Sequence, residues 1–302
     1  MQIRDWLPFL GMPLMLLFVQ VIAVVLVLPM QAAGLVAFED PESVANPLLF
    51  IGMLLAFTLV LLLLIRFGGR RFIAVFVAIA MFMTFVYIFS ALSIIAFGTN
   101  DVAAIGALIA AVAATALLYL YPEWYVIDVL GVLVSAGIAS IFGISLAIVP
   151  VLVLLVLLAV YDAISVYRTK HMITLAEGVL ETKAPIMVVV PKRADYSFRR
   201  EGIDMGEGKE RGAFLMGMGD LIMPSILVVS SHVFAGAPAV LWVLSAPTLG
   251  AMIGSLAGLA VLLFFVNKGK PQAGLPPLNG GAIAGFLVGA ALAGSAAWLP
   301  LL

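Results

Sequence analysis

The stretch Phe214-Leu215-Met216-Gly217-Met218-Gly219-Asp220-Leu221-Ile222-Met223 places an acidic side chain a few residues inside an apolar run, with two glycines just before it. A carboxylate in hydrocarbon costs about 2.5 kcal/mol or more even on lenient insertion scales, so such residues are rare and usually functional. The glycines remove side chains where another backbone can come close. Short Gly-x-Gly strings are common, so the reading rests on the surroundings.

Those surroundings are hydrocarbon-like. Hydrophobic residues make up 65% of the 302 residues and charged residues 10%, far from the balance of a soluble domain. The chain reads as an all-α polytopic membrane protein forming a single transmembrane domain over 1–302. A net charge of -1 carries no nucleic-acid signal. Cysteine is absent, which excludes disulfides, a thiolate nucleophile and a Cys-ligated metal. His171 and His232 are the only imidazoles, and the topology below puts them on opposite sides of the membrane. No metal or cofactor is expected.

Apolar runs long enough to span lie at 8–30, 48–65, 72–97, 102–121, 124–141, 144–167, 213–233, 237–266 and 277–300, giving nine predicted transmembrane helices. Phe142-Gly143 must serve as a very short turn between the fifth and sixth. Arg4 before the first run and Gln31-Ala32-Ala33 after it resemble a signal peptide, but the apolar stretch is long, and a retained span is expected.

The basic residues orient the array. With the N-terminus cytoplasmic, Arg4 lies inside, as do Arg66, Arg70 and Arg71 after the second span. The loop at about 168–212 carries Arg168, Lys170, Lys183, Lys192, Arg193, Arg199, Arg200, Lys209 and Arg211, and Lys268 and Lys270 follow the eighth span. These are all 15 basic residues of the chain. Glu39, Asp40, Glu42 and Asp101 fall in the outer loops. The C-terminus is therefore expected outside.

The loop at 168–212 is the one sizeable polar segment. Thr174 to Lys183 reads as a short helix. Ala184-Pro185-Ile186-Met187-Val188-Val189-Val190-Pro191 is a β-branched run between prolines and reads as a short strand or edge. The remainder, through Asp204-Met205-Gly206-Glu207-Gly208-Lys209, is expected to be mobile. The segment is either a tether between two helices or the source of a strand that pairs with an extended substrate. Gly250, Gly254 and Gly258, and then Gly281, Gly285 and Gly289, recur every fourth residue. Each set lies on one helix face and permits close helix packing.

Asp220 has a partner. The sixth run reads Leu158-Ala159-Val160-Tyr161-Asp162-Ala163-Ile164-Ser165, with a second acid in hydrocarbon. At the helical rise, Asp162 lies roughly 9 Å in from Arg168 and Asp220 roughly 13 Å in from Arg211. The two helices run antiparallel, so both acids reach similar depth in the cytoplasmic half. Two carboxyl groups facing each other in a low dielectric cannot readily both ionise, and they hold one shared proton over a wide pH range. That state suits peptide hydrolysis. The ionised acid takes a proton from water as it attacks, and the protonated one hydrogen-bonds the carbonyl oxygen. Asp128, five residues after Glu123, is a third buried acid and reads as a polar packing or interface residue.

Tyr161-Asp162 and Gly217-Met218-Gly219-Asp220 resemble the Tyr-Asp and Gly-x-Gly-Asp motifs of the presenilin and signal peptide peptidase family, intramembrane aspartyl proteases with nine spans. The chain looks closest to a prokaryotic or archaeal presenilin homologue. The family's Pro-Ala-Leu motif corresponds to Pro276-Pro277-Leu278, where proline replaces the middle residue. Proline donates no backbone hydrogen bond, though an unwound helix start tolerates it. The resemblance implies Asp162 and Asp220 as catalytic residues, with Tyr161, Gly217, Gly219, Pro276, Pro277 and Leu278 supporting the site or the substrate. It further implies single-span helical protein substrates with the N-terminus outside, lipid surroundings, and action without obligatory accessory subunits. A homo-oligomer and a plasma-membrane location are compatible with it. Pro122-Glu123-Trp124 looks like a Pro-Glu-Trp string that presenilins carry before their Tyr-Asp span, but here it precedes a different span. Two other readings use the same acids: a prepilin-peptidase-like protease, and a proton- or cation-coupled transporter or channel.

Overall fold

Long apolar runs become helices. The computed structural model describes residues 7–63, 67, 69–169, 187–193, 196–201, 212–266, 272–296 and 298–299. The expected 174–183 helix, residues 184–186 of the expected strand, the glycine-rich 204–209 stretch, His171, Arg4, Arg66, Lys170, Lys183, Lys209, Arg211, Lys268 and Lys270 lie outside the described residues.

In chain order, α1 (Leu7–Val25) is followed by a short α2 (Val27–Ala32), then α3 (Asn46–Leu63), α4 (Gly69–Phe97), α5 (Asp101–Leu120), α6 (Trp124–Ser145) and α7 (Ile148–Ile164). A π-helical turn, Ser165–Thr169, extends α7. Strand β1 (Met187–Pro191), a one-turn α8 (Phe198–Glu201) and β2 (Ala213–Gly217) lead into α9 (Met218–Phe234). A small hairpin, β3 (Ala239–Leu241) and β4 (Leu244–Ser245), precedes α10 (Ala246–Val266), and α11 (Leu275–Ala293) comes last. Among the described residues, eight helical segments are long and apolar enough to cross a membrane, and α9, at 17 residues, is shorter. The chain is an integral multi-pass membrane protein.

Helix α9 is the hub. Its residues from Leu221 to Ser231 are all buried, the pattern of a helix enclosed by others. It packs on α1, α6, α7, α10 and α11. Helix α1, which resembled a signal peptide, buries one face in the bundle: Leu16, Val19 and Gln20 are fully buried. The Gln20 side-chain amide donates to Ser255 Oγ of α10 at 2.7 Å, a polar link of the kind that holds helices together in lipid. The α4–α5 pair packs on the outside, against α2 and α6.

Glycines set the closest approaches. Gly250, Gly254 and Gly258 of α10 face Gly281 and Gly285 of α11 and the Pro277 carbonyl, and a Cβ on any of them would strike backbone of the opposite helix. The two ladders thus interlock, as their spacing predicted. Gly143 does something different from the expectation. Phe142-Gly143 lies inside α6, which runs on to Ser145, and the break falls at Leu146-Ala147. Gly143 instead lets α6 press against Val229 and the Ile226 carbonyl of α9.

Three further boundaries move. The predicted 213–233 helix opens as β2, paired antiparallel with β1 from Pro191↔Ala213 to Met187↔Gly217. Apolar residues alone do not choose helix over strand, and here the Val188-Val189-Val190 run supplies a partner. The predicted 237–266 span begins only at Ala246, because Trp242 turns the chain at a φ of 53° and closes the β3–β4 hairpin. The last helix ends at Ala293 rather than near 300, where Gly294 takes the left-handed conformation, φ 60°, that commonly terminates helices.

Candidate active site

Asp162 sits on α7 one residue after Tyr161 and is buried, at 8% exposure. Its carboxylate accepts a hydrogen bond from the Leu275 backbone N–H, 3.0 Å away, at the first residue of α11. The first N–H groups of a helix have no partner within it, so the start of α11 offers a donor, and its dipole favours the anion. Pro276 and Pro277 follow immediately. Having no N–H, they leave no donor unsatisfied in that first turn. Leu278 N–H returns to the Gly274 carbonyl at 3.4 Å. The departure from Pro-Ala-Leu thus leaves the Asp162 contact intact, because the donor belongs to Leu275.

Asp220 arrives from the other side. Strand β2 passes directly into α9 through Gly217, whose φ of -64° and ψ of 136° any residue can adopt. A Cβ at Gly217 would make ordinary van der Waals contact, 3.7 Å from Asp220 Oδ2. Asp220 occupies the first turn of α9, at the positive end of that helix. Because residue 224 is proline, the Asp220 carbonyl receives no bond from that position. Gly219 is exposed, and a Cβ added to it would meet nothing within 4 Å. Asp220 itself is half-buried.

Gly274 joins the two halves. A Cβ on Gly274 would come within 2.7 to 2.9 Å of the Asp220 carboxylate, while the next residue binds Asp162. The Asp162 and Asp220 carboxylates thus flank the same two adjacent residues. The sequence-predicted acids are therefore brought together from α7 and α9, with α11 wedged against both. The helix-rise estimate for the depth of Asp220 does not survive, since 213–217 is extended and rises about 3.3 Å per residue; the meeting of the acids does.

Other residues hold this arrangement. Leu278 is fully buried, and a Cβ on Gly258 of α10 would reach the Leu278 Cα at 3.0 Å. The next residue, Asn279, donates its side-chain amide to the Leu155 carbonyl of α7 at 3.0 Å. Tyr161 and Pro276 are half-buried. Sequence reasoning missed Gly274, Leu275 and Asn279. It also missed Tyr167, whose hydroxyl donates to Gln272 Oε1 at 2.9 Å and accepts the Ala273 N–H at 3.3 Å. The one signal available for the first three was nearness to the Pro-Pro-Leu string, and Tyr167 had none.

Asp128 and Glu123 also find partners. Asp128 is buried on α6 and accepts the Val189 N–H of β1 at 2.7 Å. Glu123, from the Pro-Glu-Trp string, accepts from Ser197 Oγ at 2.8 Å and the Phe198 N–H at 3.2 Å, docking α8 beneath α6. His232 is half-buried on α9. Among the described residues no group of three or more His, Cys, Asp or Glu side chains could hold a metal.

Comparison with known proteins identifies the family. The family model described as signal-peptide peptidase, presenilin aspartyl protease matches residues 13–295. Two solved structures are similar over their whole length, both described as a presenilin family intramembrane aspartate protease. One, in a C222 crystal form, is 71% identical, covers 95% of this chain and 100% of its own, and gives a TM-score of 0.73. The other, in a P2 form, is 70% identical, covers 96% and 100%, and gives 0.72. No curated protein gives a significant match. Neither the prepilin-peptidase reading nor the transporter reading draws support from these matches. With the family model covering nearly the whole chain, the protein belongs to the signal-peptide peptidase and presenilin family of aspartyl proteases.

Proposed function

We propose that Asp162 and Asp220 are the catalytic pair with which this protein hydrolyses peptide bonds inside transmembrane helices. The observation that carries the proposal is the junction at Gly274-Leu275: one residue abuts the Asp220 carboxylate and the next donates to Asp162. The Leu275 N–H thus holds the Asp162 carboxylate in place beside Asp220. Gly219, open beside Asp220, leaves space for a scissile peptide to reach the pair, where one carboxyl takes a proton from water and the other, protonated, bonds the carbonyl oxygen. Gly217 and Gly219 leave room for a peptide; Tyr161, Pro276, Pro277 and Leu278 shape the wall. Water enters from the cytoplasmic side.

The nine-span arrangement follows when α9 is counted with the eight longer helices. The basic residues then put the N-terminus in the cytoplasm and the C-terminus outside, and the plasma membrane is the expected location. Substrates are single-span proteins with the N-terminus outside. In β1, pairing with β2 and the Asp128 bond occupy both edges. The strand available to an extended substrate is accordingly β2, whose far edge is unpaired among the described residues. No accessory subunit is required.

The test is reconstitution of the purified protein in liposomes with a single-span reporter. A new cut within the span, located by product mass, is expected. An intact reporter together with aspartate-dependent ion flux would overturn the reading.

A further inference from the structure

Asp128 is the one buried carboxylate of the described residues for which hydrolysis has no use. It is 5% exposed, lies away from the aspartate pair in the chain, and makes one bond, to the Val189 N–H. Its other oxygen, Oδ2, is buried without a hydrogen-bond partner among the described residues. An unsatisfied buried polar atom of this kind is costly, and an apolar residue at 128 would remove it. Something must favour the acid.

The surroundings show what the bond does. Gly131, one turn along the same face of α6, is the floor beneath the strand: a Cβ there would touch Met218 Sδ at 3.4 Å and Val188 Cγ1 at 3.6 Å. On the opposite flank, Gly11 of α1 admits Val190, and a Cβ there would come within 2.9 Å of it. Strand β1 is thus inserted between α1 and α6 with all three valines buried. A strand edge buried this way needs acceptors for its outward N–H groups, and Asp128 provides one at Val189. Val189 pairs with Leu215 of β2. From Leu215 the chain runs through Gly217 into α9 and reaches Asp220 in its first turn.

We propose that Asp128 is a positioning residue: by bonding the outer edge of β1 it fixes the β1–β2 ladder against α6, and so sets the place of Asp220 and of the β2 edge that meets the substrate. The inference rests on the catalytic assignment above for its effect on cleavage, and on the ladder alone for its effect on the strands. A slip of β2 along β1 moves every β2 residue to a new register and carries the start of α9 with it.

The test compares Asp128→Asn, which keeps an oxygen acceptor, with Asp128→Leu, which has none. Two readouts are taken on full-length protein in detergent: amide hydrogen exchange over 187–191 and 213–217, and reporter cleavage expressed as kcat per folded molecule with the cut position mapped. The Leu variant is expected to exchange faster in both strands. It is also expected to lose on the order of tenfold to a hundredfold in kcat or to shift the cut along the span, while the Asn variant stays within twofold of the parent. A role confined to folding would lower the folded fraction and leave kcat per folded molecule and cut position unchanged, overturning the proposal. Equal impairment of both variants would also overturn it, since the charge would then matter and not the acceptor. If the Leu variant does not fold, Val189→Pro removes the donor instead, with the same outcomes expected. If the parent itself fails to cleave, the catalytic assignment is at fault, and the exchange readout still decides whether Asp128 pins the strand.

Discussion

Asp162 and Asp220 were legible in the sequence because a carboxylate in an apolar run has few bland explanations. Gly274 was not. Its importance comes from the approach of the Asp220 carboxylate to the start of α11, a contact between residues far apart in the chain. Gly274→Ala is expected to push the Asp220 side chain aside and lower kcat by on the order of a hundredfold. The thermal unfolding midpoint in detergent should barely move, and a variant with parental kcat would contradict this. Tyr167 was invisible for the same reason, since its bonds reach across to Gln272 and Ala273. The pair's pH behaviour also belongs here. Hydrolysis needs one carboxyl ionised and one protonated, so activity should fall in acid, where both are protonated, and again in base, where both are ionised. A pH–rate profile with a single limb would count against a shared proton.

Among the elements, the long helices could be read from hydropathy, because in lipid only a helix or a closed barrel satisfies its own backbone. What escaped were places where apolar sequence serves another purpose. Strand β2 looked like the start of a helix, and only the buried β1 beside it makes it extended. Gly143 looked like a turn and is a packing notch. The glycine ladders read correctly because spacing by four places residues on one face whatever they pack against. Gly254→Val would drive a side chain into the Gly281 carbonyl and the Gly285 Cα of α11. It is expected to destabilise the protein by on the order of 3 kcal/mol, measured as a lower unfolding midpoint in detergent. Because α11 carries the Leu275 donor, activity should fall with it. An unchanged midpoint would show that the ladder is not tightly closed.

For the whole molecule, the arrangement places one buried helix, α9, at the centre and brings the acids and α11 together at one end of it. That end is reached through β1 and α8, from the polar segment that charge assigned to the cytoplasm, and through β2, which follows it. The absence of cysteine makes the orientation directly testable by single-cysteine labelling. A cysteine at Glu42 should react with an impermeant reagent from outside, and one at Arg199 only after the membrane is opened. The reverse pattern would invert the topology and, with it, the class of substrates.

Whether two aspartates share the chemistry is decided by reporter cleavage with purified parent, Asp162→Asn and Asp220→Asn, each verified as folded. The parent is expected to cut within the span, and either substitution is expected to abolish the cut. A folded variant that still cleaves at the parental rate would contradict this.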